Sequence, residues 1–418
     1  MNLTENAQAV LLLTTYFAKP VKGAAKPLTP TEWGRFALWL KESNRVPASL
    51  LNGDPKETLD GWHDAKISKE RINELLGRGH AMALALEKWS RAGIWVLTRS
   101  DAAYPNRLKA RLKIDAPPVL FGCGNATLLN GGGVAVVGSR NAESVDLQFT
   151  EELGKKAANE GCSIVSGGAR GVDEASMRAG VEAEGTVVGI LADSLLKAVI
   201  SSKWRQGLMD NNLVLVSPFY PEAGFNTGNA MGRNKYIYCL SDAAVVVHSG
   251  SKGGTWNGAL ENLKKRWVPL WVKPTNDKTA GNAEIVRQGA YWCEGVVDRI
   301  SIQSLFEGQA FNEPPKDLFA VSEDNSLMAA HKTTTEKVKT EEIEALSRTI
   351  PADFYRLFLT ELQHVADKSP LTTEQVCMML SLHKSQVNKW MKQAVEEKQV
   401  KKLSKPVRYQ WAEKLFVK

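Results

Sequence analysis

Five short apolar runs between Val134 and Val272 set the frame of this chain, and each leads into a stretch whose apolar residues recur at helical spacing. The runs lie in Val134-Ala-Val-Val-Gly-Ser-Arg140, Ser163-Ile-Val-Ser-Gly-Gly-Ala-Arg170, Val187-Val-Gly-Ile-Leu191, Leu213-Val-Leu-Val-Ser217 and Ala243-Ala-Val-Val-Val-His-Ser-Gly-Ser-Lys-Gly-Gly254. Runs of about five β-branched or small residues without polar alternation read as strands buried on both faces. With helical stretches between them they predict a parallel sheet covered on each side. Strand ends in such a sheet open onto one crevice, where glycine lets a phosphate approach backbone N–H groups and helix N-termini.

The flanks follow other patterns. Residues 1–91 carry helical periodicity: Leu28-Thr-Pro-Thr-Glu-Trp33 reads as a capped helix start with Phe36, Leu38, Trp39 and Leu40 behind it, and further amphipathic stretches cover 68–77 and 79–92. The segment 92–98 reads as a strand, 104–108 as a turn and 116–121 as a further strand. Residues 311–345 are polar without apolar periodicity and predict a linker. Beyond it a helix near 352–366, helical stretches 372–380 and 385–395, and strands 399–403 and 407–411 predict a winged helix. The expected organisation is a helical N-terminal domain (1–91), an α/β Rossmann-like parallel sheet core (92–310), the linker, and a C-terminal winged helix (346–418).

Composition narrows the classes. With 418 residues, 43% hydrophobic and 24% charged, the chain has ordinary globular usage and room for two to four domains. A net charge of +7 suits a polyanionic partner. No run approaches a membrane span, and the N-terminus lacks a basic secretory start, so the expectation is a cytoplasmic protein with no membrane partner. Cys123, Cys162, Cys239, Cys293 and Cys377 are scattered, and neither they nor the six histidines show metal-ligand spacing. Disulfides and metals are not expected. The turn after the first strand is not Gly-x-Gly-x-x-Gly and no acidic ribose ligand follows, so no dinucleotide cofactor is expected either.

Candidate chemistry gathers at the strand ends. Gly138, Ser139 and Arg140 follow the first strand, and a guanidinium there can grip a phosphate with two donors. Ser166, Gly167 and Gly168 bare the backbone after the second strand, and Gly171 lets a helix begin beside a ligand. Arg233, Asn234 and Lys235 open a helical pattern, and Gly253, Gly254 and Thr255 form the turn after the fifth strand. Asp173 reads as a structural carboxylate that caps a helix or orients a basic neighbour. Trp204, Phe219, Tyr220, Phe225, Tyr236, Tyr238 and Trp256 fall near these segments; aromatics beside strands are more often core, and none is assigned a ligand role. In the C-terminal region Lys384, Lys389 and Lys392 on the second helix, with Lys402 and Arg408 on the hairpin, are phosphate-contact types, though the same module also docks proteins.

Six segments in order, Tyr104-Pro-x-x-Leu108, Ala116-Pro-Pro-Val-Leu120, 134–140, Ser166-Gly-Gly-Ala-x-Gly-Val-Asp173, Arg233-Asn-Lys-x-Ile237 and Leu240-Ser-Asp-Ala-Ala-Val-Val-Val247, resemble the DNA-processing protein A (DprA, or Smf) family. The resemblance covers about 92–275. It implies a non-enzymatic protein that binds single-stranded DNA, forms a homodimer and helps load the RecA recombinase during DNA uptake. Lys203 stands near where that family carries a basic pocket residue, with Lys197 as a competitor. Met177 and Ser217-Pro-Phe depart from the family pattern.

A second resemblance runs through Met231-Gly-Arg-Asn-Lys235 and the turn 250–261, which look like paired motifs of the related LOG phosphoribohydrolases. It implies Arg233 as phosphate holder and Glu261 as stabiliser of a sugar cation. A nucleotide-signal sensor, for instance in a defence system, is the third reading.

Overall fold

The computed structural model describes residues 3–308, and beyond them 358–359, 362–363, 370–380, 384–397, 399–403 and 408–411. The predicted linker 311–345 and most of the helix near 352–366 lie outside the described residues. Two compact units are present, Met1–Ala320 and Val321–Lys418.

The first unit is built on nine strands: β1 (Trp95–Thr98), β2 (Val119–Gly124), β3 (Val134–Val137), β4 (Ile164–Ser166), β5 (Val187–Ile190), β6 (Leu213–Ser217), β7 (Ala243–Val246), β8 (Leu270–Val272) and β9 (Tyr291–Trp292). Their order is β1-β2-β6-β5-β4-β3-β7-β8-β9. The five predicted runs are all strands. They are paired parallel, but the sheet is mixed, because β2 lies antiparallel to both β1 and β6. β8 and β9, too short to show a pattern, extend the parallel part.

Helices cover both faces. In chain order they are α1 (Glu5–Thr14), α2 (Pro30–Glu42), α3 (Pro55–Thr58), α4 (Lys69–Leu76), α5 (Gly79–Arg91), α6 (Asn106–Leu112), α7 (Ser144–Asn159), α8 (Val172–Glu182), α9 (Leu195–Val199), α10 (Ser202–Met209), α11 (Thr227–Leu240), α12 (Gly254–Lys265), α13 (Asn282–Arg287) and α14 (Ile302–Glu307). The predicted start of α2 is a full capping box: Thr29 accepts from the Glu32 N–H, Glu32 accepts from the Thr29 N–H, and Pro30 follows the cap. The turn expected at 104–108 is instead the entry to α6, with Pro105 at its cap. Proline suits a helix start as well as a turn, and five residues could not separate the two.

Period-two alternation divides the core between the faces. Val134, Val136, Leu213, Leu215 and Val245 belong to one apolar cluster, and Ala135, Val137, Val214, Val216 and Val246 to the other. The first cluster is continuous with the N-terminal helices through Leu11, Leu13, Phe36, Ile72 and Trp89, and Trp89 meets Phe121 of β2 edge to face at 5.2 Å. Among the described residues no helix is long and apolar enough to cross a membrane. Cys239 and Cys293 are buried and the other three cysteines half-buried; all five are free thiols.

The second unit contains helices Thr373–Met379 and Lys384–Glu396 and an antiparallel hairpin of Val400–Leu403 with Arg408–Trp411. Leu371 bridges to Tyr409. Leu362, Val376, Val387, Met391 and Ala394 form its buried core.

Candidate functional site

The chain leaves β3 toward β4 on one side and returns through α11 to β7 on the other. That reversal is the switch point at which open α/β sheets bind ligands. A cavity of about 510 Å³ lies there, lined by the turn after β3, the first turn of α8, one face of α11 and the loop after β7. Two backbone bonds fix the strand exits, Ser139 N–H to the His248 carbonyl at 2.9 Å and Val247 N–H to the Val137 carbonyl at 3.0 Å.

Glycine opens both helix starts. Gly171 precedes α8 at φ +91°, and a Cβ there would lie 2.5 Å from the Ser139 carbonyl oxygen. Gly253 precedes α12 at φ +106°. Neither start carries a capping side chain; at α8 the Val172 and Glu174 N–H groups donate instead to the Ser139 and Ala169 carbonyls, at 3.4 and 2.9 Å.

Arg233 and Asp173 form the floor. Arg233 is 3% exposed; its Nη1 donates to the Ile190 carbonyl at 2.6 Å, and its Nη2 lies 3.7 Å from Asp173 Oδ2. Burial pushes the Asp173 carboxyl above the usual carboxylate range, opposed by Arg233 and by the Gly138 and Ala169 N–H groups that it accepts. The same burial lowers Arg233, with Asp173 acting to raise it. The sequence offers Asp173 two roles; α8 has no side-chain cap, and the carboxylate lies beside Arg233.

The mouth is different in character. Arg140 is exposed, and its guanidinium lies 5.0 Å from the centre of the Phe225 ring, itself 58% exposed. Lys252, in the loop after β7, is exposed and lines the same cavity. Among the charged residues lining the cavity three are basic, Arg140, Arg233 and Lys252, and one is acidic, Asp173.

The expected residues fall into three groups. Gly138, Ser139, Arg140, Arg233, Asn234, Gly253, Gly254 and Thr255 all line the cavity. Of these, Asn234 and Thr255 knit its walls, through Asn234 Nδ2 to the Gly254 carbonyl at 2.9 Å and Thr255 Oγ1 to the Gly138 carbonyl at 3.0 Å. Ser166, Gly167, Gly168 and Gly171 are not among the lining residues. Ser166 is fully buried and donates to the Val136 carbonyl at 2.6 Å, so its hydroxyl serves the sheet. A Cβ at Gly167 would come within 1.5 Å of Arg233 Nη1, so the bare backbone that sequence reading offered to a phosphate is filled by a guanidinium.

Lys203 and Lys235 are not brought into the cavity. Lys203, on α10, pairs with Glu174 at 2.8 Å, and Lys235 projects from another face of α11 with its ammonium 5.1 Å from the Tyr236 ring centre. Lys197 is exposed on α9.

Glu261, the carboxylate of the hydrolase reading, is exposed seven residues into α12, about 10 Å along the helix, and is not among the lining residues. One turn into that helix stands Gly258. The arginine–carboxylate pair which that chemistry requires is not assembled.

Phe225, expected near these segments without a ligand role, and Lys252, expected only as part of the turn 250–261, both line the cavity. The lysine interrupts a glycine turn and the phenylalanine lies in a loop without periodicity, so their place at the mouth was visible only in three dimensions. In the second unit Lys392 is exposed; Lys384, Lys389, Lys402 and Arg408 have their backbones in the elements named, and their side chains lie outside the described residues.

The sequence matches the family described as DNA recombination-mediator protein A over residues 95–303. The chain belongs to the DprA family. Its relative in Bacillus subtilis, DNA processing protein DprA, is 31% identical over 259 residues, which span 58% of this chain and 86% of that protein. The X-ray structure of DprA from Streptococcus pneumoniae matches with a TM-score of 0.55 at 19% identity, over 71% of this chain and 96% of that one. DNA processing protein A from Helicobacter pylori, whose structure is described for its single-stranded DNA binding mode, matches at 24% identity over 51% of this chain and 94% of that one, with a TM-score of 0.42. The matched DprA segment contains the whole crevice, from the Gly138 turn to Thr255.

Proposed function

We propose that the crevice binds single-stranded DNA along its phosphate backbone, and that this DprA-family chain works as a recombination mediator without catalysing a reaction. The observation that carries the reading is the cavity that gathers Arg140, stacked over an exposed Phe225, with Lys252 and the starts of two glycine-led helices. A guanidinium takes a phosphate through two donors, an open ring offers a face to any base, and helix starts favour anions. Such contacts read a backbone and ignore sequence. Gly138, Ser139, Arg140, Lys252, Gly253 and Gly254 are the proposed contacts, with Arg233 supplying buried positive charge.

The second unit supports a winged-helix assignment through its helices and hairpin. We assign it an auxiliary role in nucleic-acid or protein contact, through Lys384, Lys389, Lys392, Lys402 and Arg408. A homodimer, RecA as the partner that receives the strand, and a cytoplasmic setting complete the proposal.

The test is a titration of the full chain with a labelled single-stranded oligonucleotide at several salt concentrations. Affinity should fall steeply with salt as counterions are released. Absence of binding at low salt sinks the proposal.

A further inference from the structure

A second and larger cavity, of about 670 Å³, lies on the other side of the loop that joins β6 to α11. We propose that it is a nucleobase site, receiving an unstacked base of the strand whose phosphates run through the crevice. The inference rests on the reading of the crevice as a strand-binding groove.

The two cavities share walls. In the loop, Phe219, Tyr220 and Ala223 face the second cavity while Phe225 faces the crevice. On α11, Asn229 and Tyr236, seven residues apart and so on one helix face, line the second cavity, while Ala230, Met231 and Asn234 line the crevice. A helix with its side chains is about 10–12 Å across. At about 3.4 Å of rise per stacked nucleotide, three or four nucleotides reach from one cavity to the other.

The chemistry of the lining suits a base. Phe121 and Tyr236 are buried members of the lining, and Tyr16 and Tyr220 stand together with ring centres 6.0 Å apart. Flat apolar walls with polar groups at a few points are what a heteroaromatic ring requires. Those polar groups include the half-buried Asn229 and the exposed Lys26.

The opposite wall is held in place. Arg71 donates to the carbonyls of Lys26, Pro27 and Lys66 and to both oxygens of Glu32, which also accepts the Thr29 N–H. A wall fixed in this way keeps its shape whether or not a ligand is present.

The experiment uses the full chain and an oligothymidylate carrying 5-iododeoxyuridine, which cross-links to neighbouring aromatic side chains on irradiation, with the modified peptides mapped. Cross-links at Tyr16, Phe219 or Tyr220 are expected beside those at Phe225. A parallel titration compares the natural oligonucleotide with one carrying abasic sites. Wild type should prefer the natural strand, and Tyr220→Ala should narrow that preference by about 5- to 100-fold, with the salt dependence unchanged and Tyr220→Phe restoring it. Salt-dependent binding with cross-links confined to Phe225, or a preference untouched by Tyr220→Ala, overturns the base site and leaves the crevice reading standing. No oligonucleotide binding at all overturns both.

Discussion

Asp173 and Arg233 face each other at 3.7 Å beneath the crevice, and neither reaches solvent to any useful extent. Removing one partner of a buried pair strands the other and costs about 3–5 kcal/mol. Arg233→Ala and Asp173→Ala should each lower stability by that order in urea unfolding, and the double variant should lose clearly less than their sum. Strict additivity would refute the coupling. The pH dependence has a definite sign. A carboxyl whose folded pKa lies above its ordinary 3.8 contributes stability that is full below that value and lost as pH rises through the folded pKa. The deficit of Arg233→Ala should therefore shrink on acidification.

Gly167→Ala tests the close approach of Arg233. A Cβ placed 1.5 Å from Nη1 and 2.2 Å from Cζ displaces the guanidinium, and overpacking of this kind costs about 1–3 kcal/mol. In an Arg233→Ala background the same substitution should be nearly neutral. A comparable cost in both backgrounds would mean that the backbone, and not the arginine, sets the requirement for glycine.

Arg140→Ala should leave stability within about 0.5 kcal/mol of wild type, since the side chain is exposed. It should weaken oligonucleotide binding for all sequences alike and reduce the salt slope by about 0.7 for the phosphate lost. Arg140→Lys keeps the charge and loses the planar contact with Phe225, so its affinity should fall between the two. An unchanged slope in Arg140→Ala would place the strand elsewhere.

Asp277 gives a separate acid signature. Its carboxyl is lowered to about 2, first by the Thr279 hydroxyl and N–H and then by His248. A depressed carboxylate stabilises the fold above its unfolded value and loses that contribution as pH falls through the folded one. Between about pH 4 and 2 the stability of wild type should drop more steeply than that of Asp277→Asn, as read by fluorescence-monitored unfolding. Parallel curves would show that the carboxylate contributes nothing there.

The strands and the crevice were legible because burial on two faces writes an uninterrupted apolar run, and Val134 to Val137 or Ala243 to Val246 could hardly be read otherwise. β9, with two residues, writes no pattern at all. Arg140 was found because it follows a strand and a glycine. Lys203, expected from the family resemblance, and Lys235, expected from its nearness to Arg233, lie outside the cavity lining; Lys235 follows Arg233 by two positions, about 200° around α11, and linear proximity does not say which face of a helix a side chain takes. Gly167 was read as an opening for a ligand, and only the packing shows that Arg233, 66 positions later in the chain, occupies it.

The loop between β6 and α11 is tied down over residues 221–223. Trp89 Nε1 and Lys88 Nζ of α5 both donate to Glu222, Ser194 N–H reaches the Ala223 carbonyl at 2.7 Å, and Leu196 N–H reaches the Pro221 carbonyl at 2.9 Å. The stretch 221–223 is therefore held in place before any strand arrives, two residues short of the exposed Phe225 ring, and association has little freedom left to remove from it. A groove with one wall set in advance resembles a rail along which a strand is laid, rather than a jaw that must open and shut to take it in.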